Sequence, residues 1–199
     1  MSRTLDAQDV DDLAVGAWVL GTGGGGSPYL NHLNMQQIAS EGTQFQLVDP
    51  QELDDQARVA VVSTMGAPLV MQERLQDPRD VARAVEVMAE HIGCAFDAVM
   101  ATEIGGSNAF QPLMASAHLG IPIVDADAMG RAYPEAQMTS FAIGGLQPWP
   151  LALVDPRGVE AIVTHVPTWK WMERASRALT IETGSMAATC KAPRLSLIH

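Results

Sequence analysis

Apolar positions along the chain follow two different periods in turn. Val10, Leu13, Ala14, Ala17 and Trp18 recur at three- and four-residue spacing, which predicts an amphipathic helix ending at Gly21. Asp6 or Asp9 is placed to cap it, and an acid in the first turn suits the helix dipole. A second helix is predicted from about Pro28 to Ser40, because proline fits a first helical turn. Phe45–Val48 reads as a short strand. Val59–Thr64, Ala98–Thr102 and Ile121–Val124 are continuous apolar or β-branched runs, the pattern of strands buried on both faces. A helix from about Pro78 to Ile92, with the stripe Val81, Ala84, Val85, Met88, Ala89 and Ile92, is stopped by Gly93. Another runs to His118 and ends at Gly120. The alternation of strands and helices with short links predicts βαβ units and an α/β fold: a three-layer αβα domain around a mainly parallel sheet.

Beyond Asp127 the texture changes. Gln137–Ile143, Leu151–Val154 and Val159–Val166 read as strands joined by Gly/Pro turns. Asp155-Pro156-Arg157-Gly158 is a hairpin turn, since proline presets one position and glycine tolerates positive φ. A last helix is predicted over about Thr168 to Thr180, and Lys191–His199 forms no clear element. The expected division is an α/β domain over 1–167, followed by a helix and the start of a second unit over 168–199.

Composition narrows the partners. With 199 residues, 47% of them apolar and 18% charged, the chain is long enough for one full domain with a sizeable core. Its 23 acids against 12 bases give a net charge of −11, which disfavours a phosphate-binding groove for nucleic acid. The two cysteines, Cys94 and Cys190, lie far apart, so neither a disulfide framework nor a thiolate zinc site is expected. No charged-then-apolar leader and no apolar run of membrane-spanning length is visible, and a cytoplasmic location is the expectation. Homo-oligomerisation is compatible with all of this.

Gly21-Thr22-Gly23-Gly24-Gly25-Gly26-Ser27-Pro28 exposes backbone N–H groups ahead of a helix, as anion sites do. No Lys-Ser/Thr pair follows it, and a helix rather than a strand precedes it, so neither nucleotide fingerprint applies and no nucleotide is expected. A ligand-contacting loop, with Gly23, Gly24 and Gly25 as candidates, and a plain hinge remain equally open.

Ligands of open parallel sheets bind outside the carboxyl ends of the strands. Two adjacent ends carry acidic residues here. Glu103 follows one strand. Asp125 and Asp127 follow another and, two residues apart, face the same way. Paired carboxylates serve as acid and base or hold a divalent metal, although aspartates at such places also act simply as turn and cap residues. Arg131, Glu135, Gln137 and Asn108 lie close by in sequence. Gly105-Gly106-Ser107-Asn108 opens a helix and offers caps as well as N–H groups for an oxyanion. No G-x-S-x-G elbow or histidine pair at ligand spacing is present.

Four segments in this order, Leu20–Tyr29, Met65-Gly66-Ala67-Pro68, Glu103–Asn108 and Val124–Met138, resemble the S-methyl thiohydantoin desulfurase-like family, related in context to hydantoinase and oxoprolinase proteins. The resemblance implies an N-terminal α/β domain, a second and mostly β domain, and chemistry on hydantoin-like cyclic amides and thioamides. The sequence stops soon after Gly184-Ser185-Met186-Ala187-Ala188, where the family continues, so the second domain is expected to be missing. On that resemblance the substrate is a small molecule. Asp125 or Asp127 is the base or the ligand of a divalent metal, Glu103 moves a second proton, and Arg131 neutralises developing charge. Asn108, Glu135, Gln137 and the Gly23–Gly25 amides bind the ring. The alternatives are a non-catalytic small-molecule-binding module or a subunit that needs a partner, and, on the glycine run alone, a phosphate binder.

Overall fold

The structure is a computed structural model and describes residues 2–195. Within them the chain forms β1 (Arg3–Leu5), β2 (Phe45–Val48), β3 (Arg58–Gly66), β4 (Ala98–Ala101), β5 (Ile123–Val124), β6 (Leu151–Val154), β7 (Glu160–Val163) and β8 (Met186–Leu195). All belong to one sheet in the order β1-β2-β5-β4-β3-β8-β6-β7. The middle of the sheet, β2-β5-β4-β3, is parallel. β1 flanks it antiparallel on one side, and β8, β6 and β7 continue it antiparallel on the other. The fold is α/β, with a mixed sheet that is parallel in its core.

Successive residues of β3 point to opposite faces of the sheet, and each face is covered. Ala60 and Val62 pack under α1 (Ala7–Gly21), α2 (Tyr29–Ser40), α4 (Pro78–Ile92) and α5 (Gln111–Leu119), with Met35, Met88 and Met114 filling the interior. Val59 and Val61 face the other layer with Phe141 of α6 (Ser140–Ile143). Beside them Met172 of α7 (Trp169–Glu182) packs on Leu151 and Leu153 of β6. Helix boundaries follow the local chemistry. Asp6 accepts from the Asp9 N–H while Asp9 accepts from the Asp6 N–H, a reciprocal cap. Gly93 and Gly120 close α4 and α5 in the left-handed region. In the β6–β7 hairpin the Asp155 carboxylate accepts from the N–H groups of Arg157 and Val159, and Gly158 sits at φ +83°.

Two expectations are corrected. Gln137–Ile143 is not a strand. Residues 136–138 form a 3₁₀ turn, and Thr139, whose hydroxyl donates to the Ala136 carbonyl, leads into the single turn of α6. A short apolar run fits either period, and here the local side-chain bond decided. Lys191–Leu195, expected to form no element, is the second half of β8, an interior strand hydrogen-bonded to β3 and β6. Its alanines and its proline weaken the strand pattern. A register shift between Val59 and Val61, opposite Arg194 and Lys191, accommodates Pro193. As a result α7 and β8, expected to open a second unit after residue 167, lie on and within the same sheet as everything before them. A short helix, α3 (Pro68–Glu73), follows β3 directly, with Pro68 in its first turn. Among the described residues no helix is long and apolar enough to cross a membrane.

Candidate active site

The glycine run is explained by what it touches. A Cβ on Gly25 would stand 2.4 Å from the Gly105 carbonyl oxygen, and one on Gly106 would stand 2.5 Å from the Gly25 carbonyl carbon. The two loops therefore meet backbone to backbone. They are tied by the Ser107 N–H and hydroxyl, both donating to the Gly25 carbonyl at 2.9 and 2.8 Å. The third loop closes on the same point: the Ala132 N–H donates to Leu20 O at 3.2 Å, and a Cβ on Gly105 would meet Ala132 N at 2.4 Å. Sequence segments from about 25 to about 110 residues apart thus converge beyond the carboxyl end of β4.

Beside this junction lies a cavity of about 220 Å³. Gly25 and Gly26 form one lip, and the ends of β3 and β4 supply Ser63, Thr64 and Glu103. Lys191 of β8 enters from below. α7 forms the far wall with Trp169, Met172, Glu173, Ser176 and Arg177, a set at helical spacing along one face.

Glu103 is buried in this wall with both carboxylate oxygens engaged. One accepts from the Asn108 side-chain amide and the other from the Tyr133 N–H at 2.8 Å. Asn108 is itself fixed, because its carbonyl oxygen accepts from the Thr64 N–H at 2.7 Å. Thr64 is held in turn by Gln76, which exchanges amide hydrogen bonds with Gln111. Burial raises the Glu103 pKa above the usual carboxylate range, against the opposing pull of its two hydrogen bonds and of Lys191. Lys191 is 5% exposed and is pushed down to about 8 by burial. Its Nζ donates to Ser63 Oγ and Thr102 Oγ1, each at 2.8 Å. On the α7 side Glu173 accepts from the Ala136 N–H and pairs with Arg177, whose side chain reaches the rim.

Of the residues singled out in the sequence, Glu103, Asn108 and Gly25 come together at this cavity. The others do not. Gly23 and Gly24 are exposed and outside its lining. Asp125 and Asp127 line a different hollow, of about 530 Å³, with Leu13, Ile104 and Leu113 as its apolar wall. Asp127 is occupied structurally: its carboxylate accepts from the Ile104 N–H at 2.8 Å and from the Gly130 N–H. Asp125 is exposed at the mouth of that hollow. Arg131 is exposed and donates to the Ala132 carbonyl, and Gln137 donates to Glu135 at the surface. Among the described residues no three His, Cys, Asp or Glu side chains converge as a metal-binding group. Sequence reasoning missed Ser63, Lys191 and the α7 wall, although the 169/172/173/176/177 spacing was visible.

The role of Asp127 carries a stability prediction. Asp127→Ala leaves two loop N–H groups without a charged acceptor and is expected to cost on the order of 2 kcal/mol, whereas Asp125→Ala should stay within about 0.5 kcal/mol. Chemical denaturation of the two variants checks this; equal midpoints would remove the anchoring role.

Residues 8–165 match the N-terminal domain of the S-Me-THD-like family. The chain belongs to that family. The matched span contains all three converging loops and every cavity residue except those of α7 and β8. Among solved structures, a crystal structure of a protein from Chromobacterium violaceum superposes with a TM-score of 0.83 at 24% sequence identity. That match covers 96% of this chain and 55% of the other, so this S-Me-THD-like chain spans about half the length of its structural relative. None of the curated proteins matches.

Proposed function

We propose that the cavity over β3 and β4 is a hydrolytic site for a small five-membered cyclic amide or thioamide of the hydantoin type. On this reading the reaction replaces sulfur by oxygen at a ring carbon. With an S-methyl thiohydantoin, the C–S bond breaks, a C–O bond forms from water, and methanethiol and a hydantoin leave. Membership of the S-Me-THD-like family favours this substrate class, and the cavity has the size of a small ring rather than of a nucleotide.

The observation that carries the reading is Glu103. It is desolvated at a strand end, clamped by two donors, and burial raises its proton affinity above that of an ordinary carboxylate, as suits a group that gives a proton. Glu103 is proposed to protonate the leaving group or a ring nitrogen. Asn108, with both ends of its amide engaged, positions Glu103 rather than binding the ring. Arg177, at the rim, can neutralise an acidic ring substituent. Asp125, Asp127 and Arg131 do not reach this cavity and are given no part in the step. A subunit that binds such a ring without turning it over is the second reading, drawn from the 55% coverage of the structural relative.

The test is direct. The purified protein is incubated with an S-methyl thiohydantoin at pH 6–9, with and without divalent cations, and methanethiol is captured with a thiol reagent while the ring product is identified by mass. Wild type should release thiol, and Glu103→Gln should do so about 100-fold more slowly. Binding of the ring by wild type without any thiol release would favour the subunit reading and end the hydrolytic one.

A further inference from the structure

Lys191 is a buried cation whose two nearest acceptors are hydroxyls rather than carboxylates. Buried lysines are ordinarily paired with an acid. Here Glu103 and Glu173 act on it only at longer range, and both spend their hydrogen bonds elsewhere. The hydroxyl protons around it can be assigned one by one, since each hydroxyl has one to give. Thr102 Oγ1 donates to the Val62 carbonyl, so toward Lys191 it can only accept. Thr189 Oγ1 donates to the Ser63 carbonyl, so toward Ser63 Oγ, 2.8 Å away, it too can only accept. Ser63 is therefore the one hydroxyl of the three whose proton is not committed to a carbonyl. It is also the one that reaches the cavity surface, where Lys191 is its neighbour. With Lys191 charged, the Ser63 proton points to Thr189. With Lys191 neutral, one N–H still serves Thr102 and the nitrogen lone pair faces Ser63 Oγ.

We propose that Ser63 and Lys191 form a nucleophile–base pair that attacks an electrophilic ring carbon at the cavity wall. This deepens the hydrolytic reading given above and rests on it for the substrate. In the first step the Ser63 oxygen bonds to the ring carbon bearing the S-methyl group, and its proton passes to the Lys191 amine. The C–S bond then breaks and the thiolate leaves with a proton as methanethiol, so that the ring is held on Ser63 through a C–O bond. Water next attacks the same carbon, its proton goes to Lys191, and the ring departs as the hydantoin while Ser63 recovers its proton. No oxidant or reductant is needed. A neutral amine supported by a desolvated site is the known way of activating a serine without histidine.

The test uses a fluorophosphonate probe on the full chain, because phosphonylation of an activated serine (O–P bond formed, fluoride lost) does not depend on the natural substrate. One adduct is expected, mapping to Ser63. Its rate should rise through mildly alkaline pH, as Lys191 loses its proton among Glu103, Glu173, Cys190 and Arg194. Lys191→Met should slow labelling at least 100-fold, Ser63→Ala should abolish it, and Thr189→Val should keep it. If Lys191→Met fails to fold, the Ser63→Ala comparison and the wild-type pH profile decide. Absence of an adduct on Ser63, or undiminished labelling in a folded Lys191→Met, overturns the pair. The two proposals separate cleanly. Thiol release that persists in Ser63→Ala removes the pair and leaves the hydrolytic reading, whereas an adduct on Ser63 without thiol release by wild type does the reverse.

Discussion

Alanine at Gly25 is expected to cost the protein on the order of 3 kcal/mol or more, by far the largest effect of any single methyl group added to the glycine run. Two costs combine. Gly25 has φ +71°, a left-handed conformation that penalises a side chain by about 1–2 kcal/mol. Its Cβ would also lie 2.4 Å from Gly105 O, 3.0 Å from Gly105 C and 3.2 Å from Gly106 Cα. All three atoms are backbone, so no side chain can swing aside. Relief requires separating the 21–26 loop from the 103–107 loop, which breaks both Ser107 bonds to the Gly25 carbonyl. Gly23→Ala is the control. It has φ +89° but nothing within 4 Å of the added carbon, and should lose only the conformational part. For a chain of this size a cost of about 3 kcal/mol corresponds to a fall in melting temperature of about 6–12 °C for Gly25→Ala, and Gly23→Ala should fall by less. The ring affinity of any folded Gly25→Ala protein should fall as well, since Glu103 is positioned from the same junction. Equal melting curves for the two variants would show that the loops are not locked together.

This contact also explains why part of the site was legible in the sequence. Glycines clustered in two distant segments announce a close backbone approach, and a carboxylate just after a buried strand announces a ligand-facing strand end. Gly25 and Glu103 follow from those two rules, and Asn108 from its place in the glycine-led segment after Glu103. Asp125 and Asp127 satisfy the second rule equally well, yet the same position suits a carboxylate that organises backbone N–H groups. Asp127 does this for Ile104 and Gly130. What the rule lacks is the face: these residues follow β5, on the far side of β4 from β3, and they open into the other hollow.

The parallel half of the fold was legible for a similar reason. β4, β5 and the Val59–Val62 stretch of β3 are buried on both faces and therefore apolar throughout, and α4 carries its stripe openly. β8 was hidden because its composition suits its neighbours rather than a strand in isolation. Small alanines fit beneath α4, and Lys191 fits only because Ser63 and Thr102 receive it. A lone lysine in an alanine-rich stretch reads as a solvated residue until the strand is placed between β3 and β6. With β8 misplaced, α7 had no sheet to cover, and its inward face of Trp169, Met172 and Glu173 had no cavity to line.

The burial of Lys191 makes a second large effect expected, on stability against pH. Its pKa is about 8 in the folded protein against an ordinary 10.5, so the charged form is the one that folding disfavours. Below pH 8 both states carry the charge and the folded state bears the full desolvation cost. Above 10.5 both are neutral and the cost has gone. Stability should therefore rise with pH through this window, because the unfolded chain binds the extra proton. Other groups also titrate there: Cys190, pushed up to about 12 by burial, works in the opposite direction above its ordinary value. The useful quantity is thus the difference between wild type and Lys191→Met, in which common terms cancel. Methionine removes the charge and keeps much of the volume. It leaves no buried donor stranded, since Thr102 still donates to Val62 O and Ser63 to Thr189. Lys191→Met should equal or exceed wild type in stability at pH 7. Between pH 7 and pH 10 wild type should gain about 2–3 kcal/mol relative to it. Urea denaturation of both proteins at pH 7, 8.5 and 10 measures the gap. Curves that stay parallel over that range would mean that the lysine keeps its ordinary proton affinity in the folded chain, and with it the charge that a base at Ser63 must be able to shed.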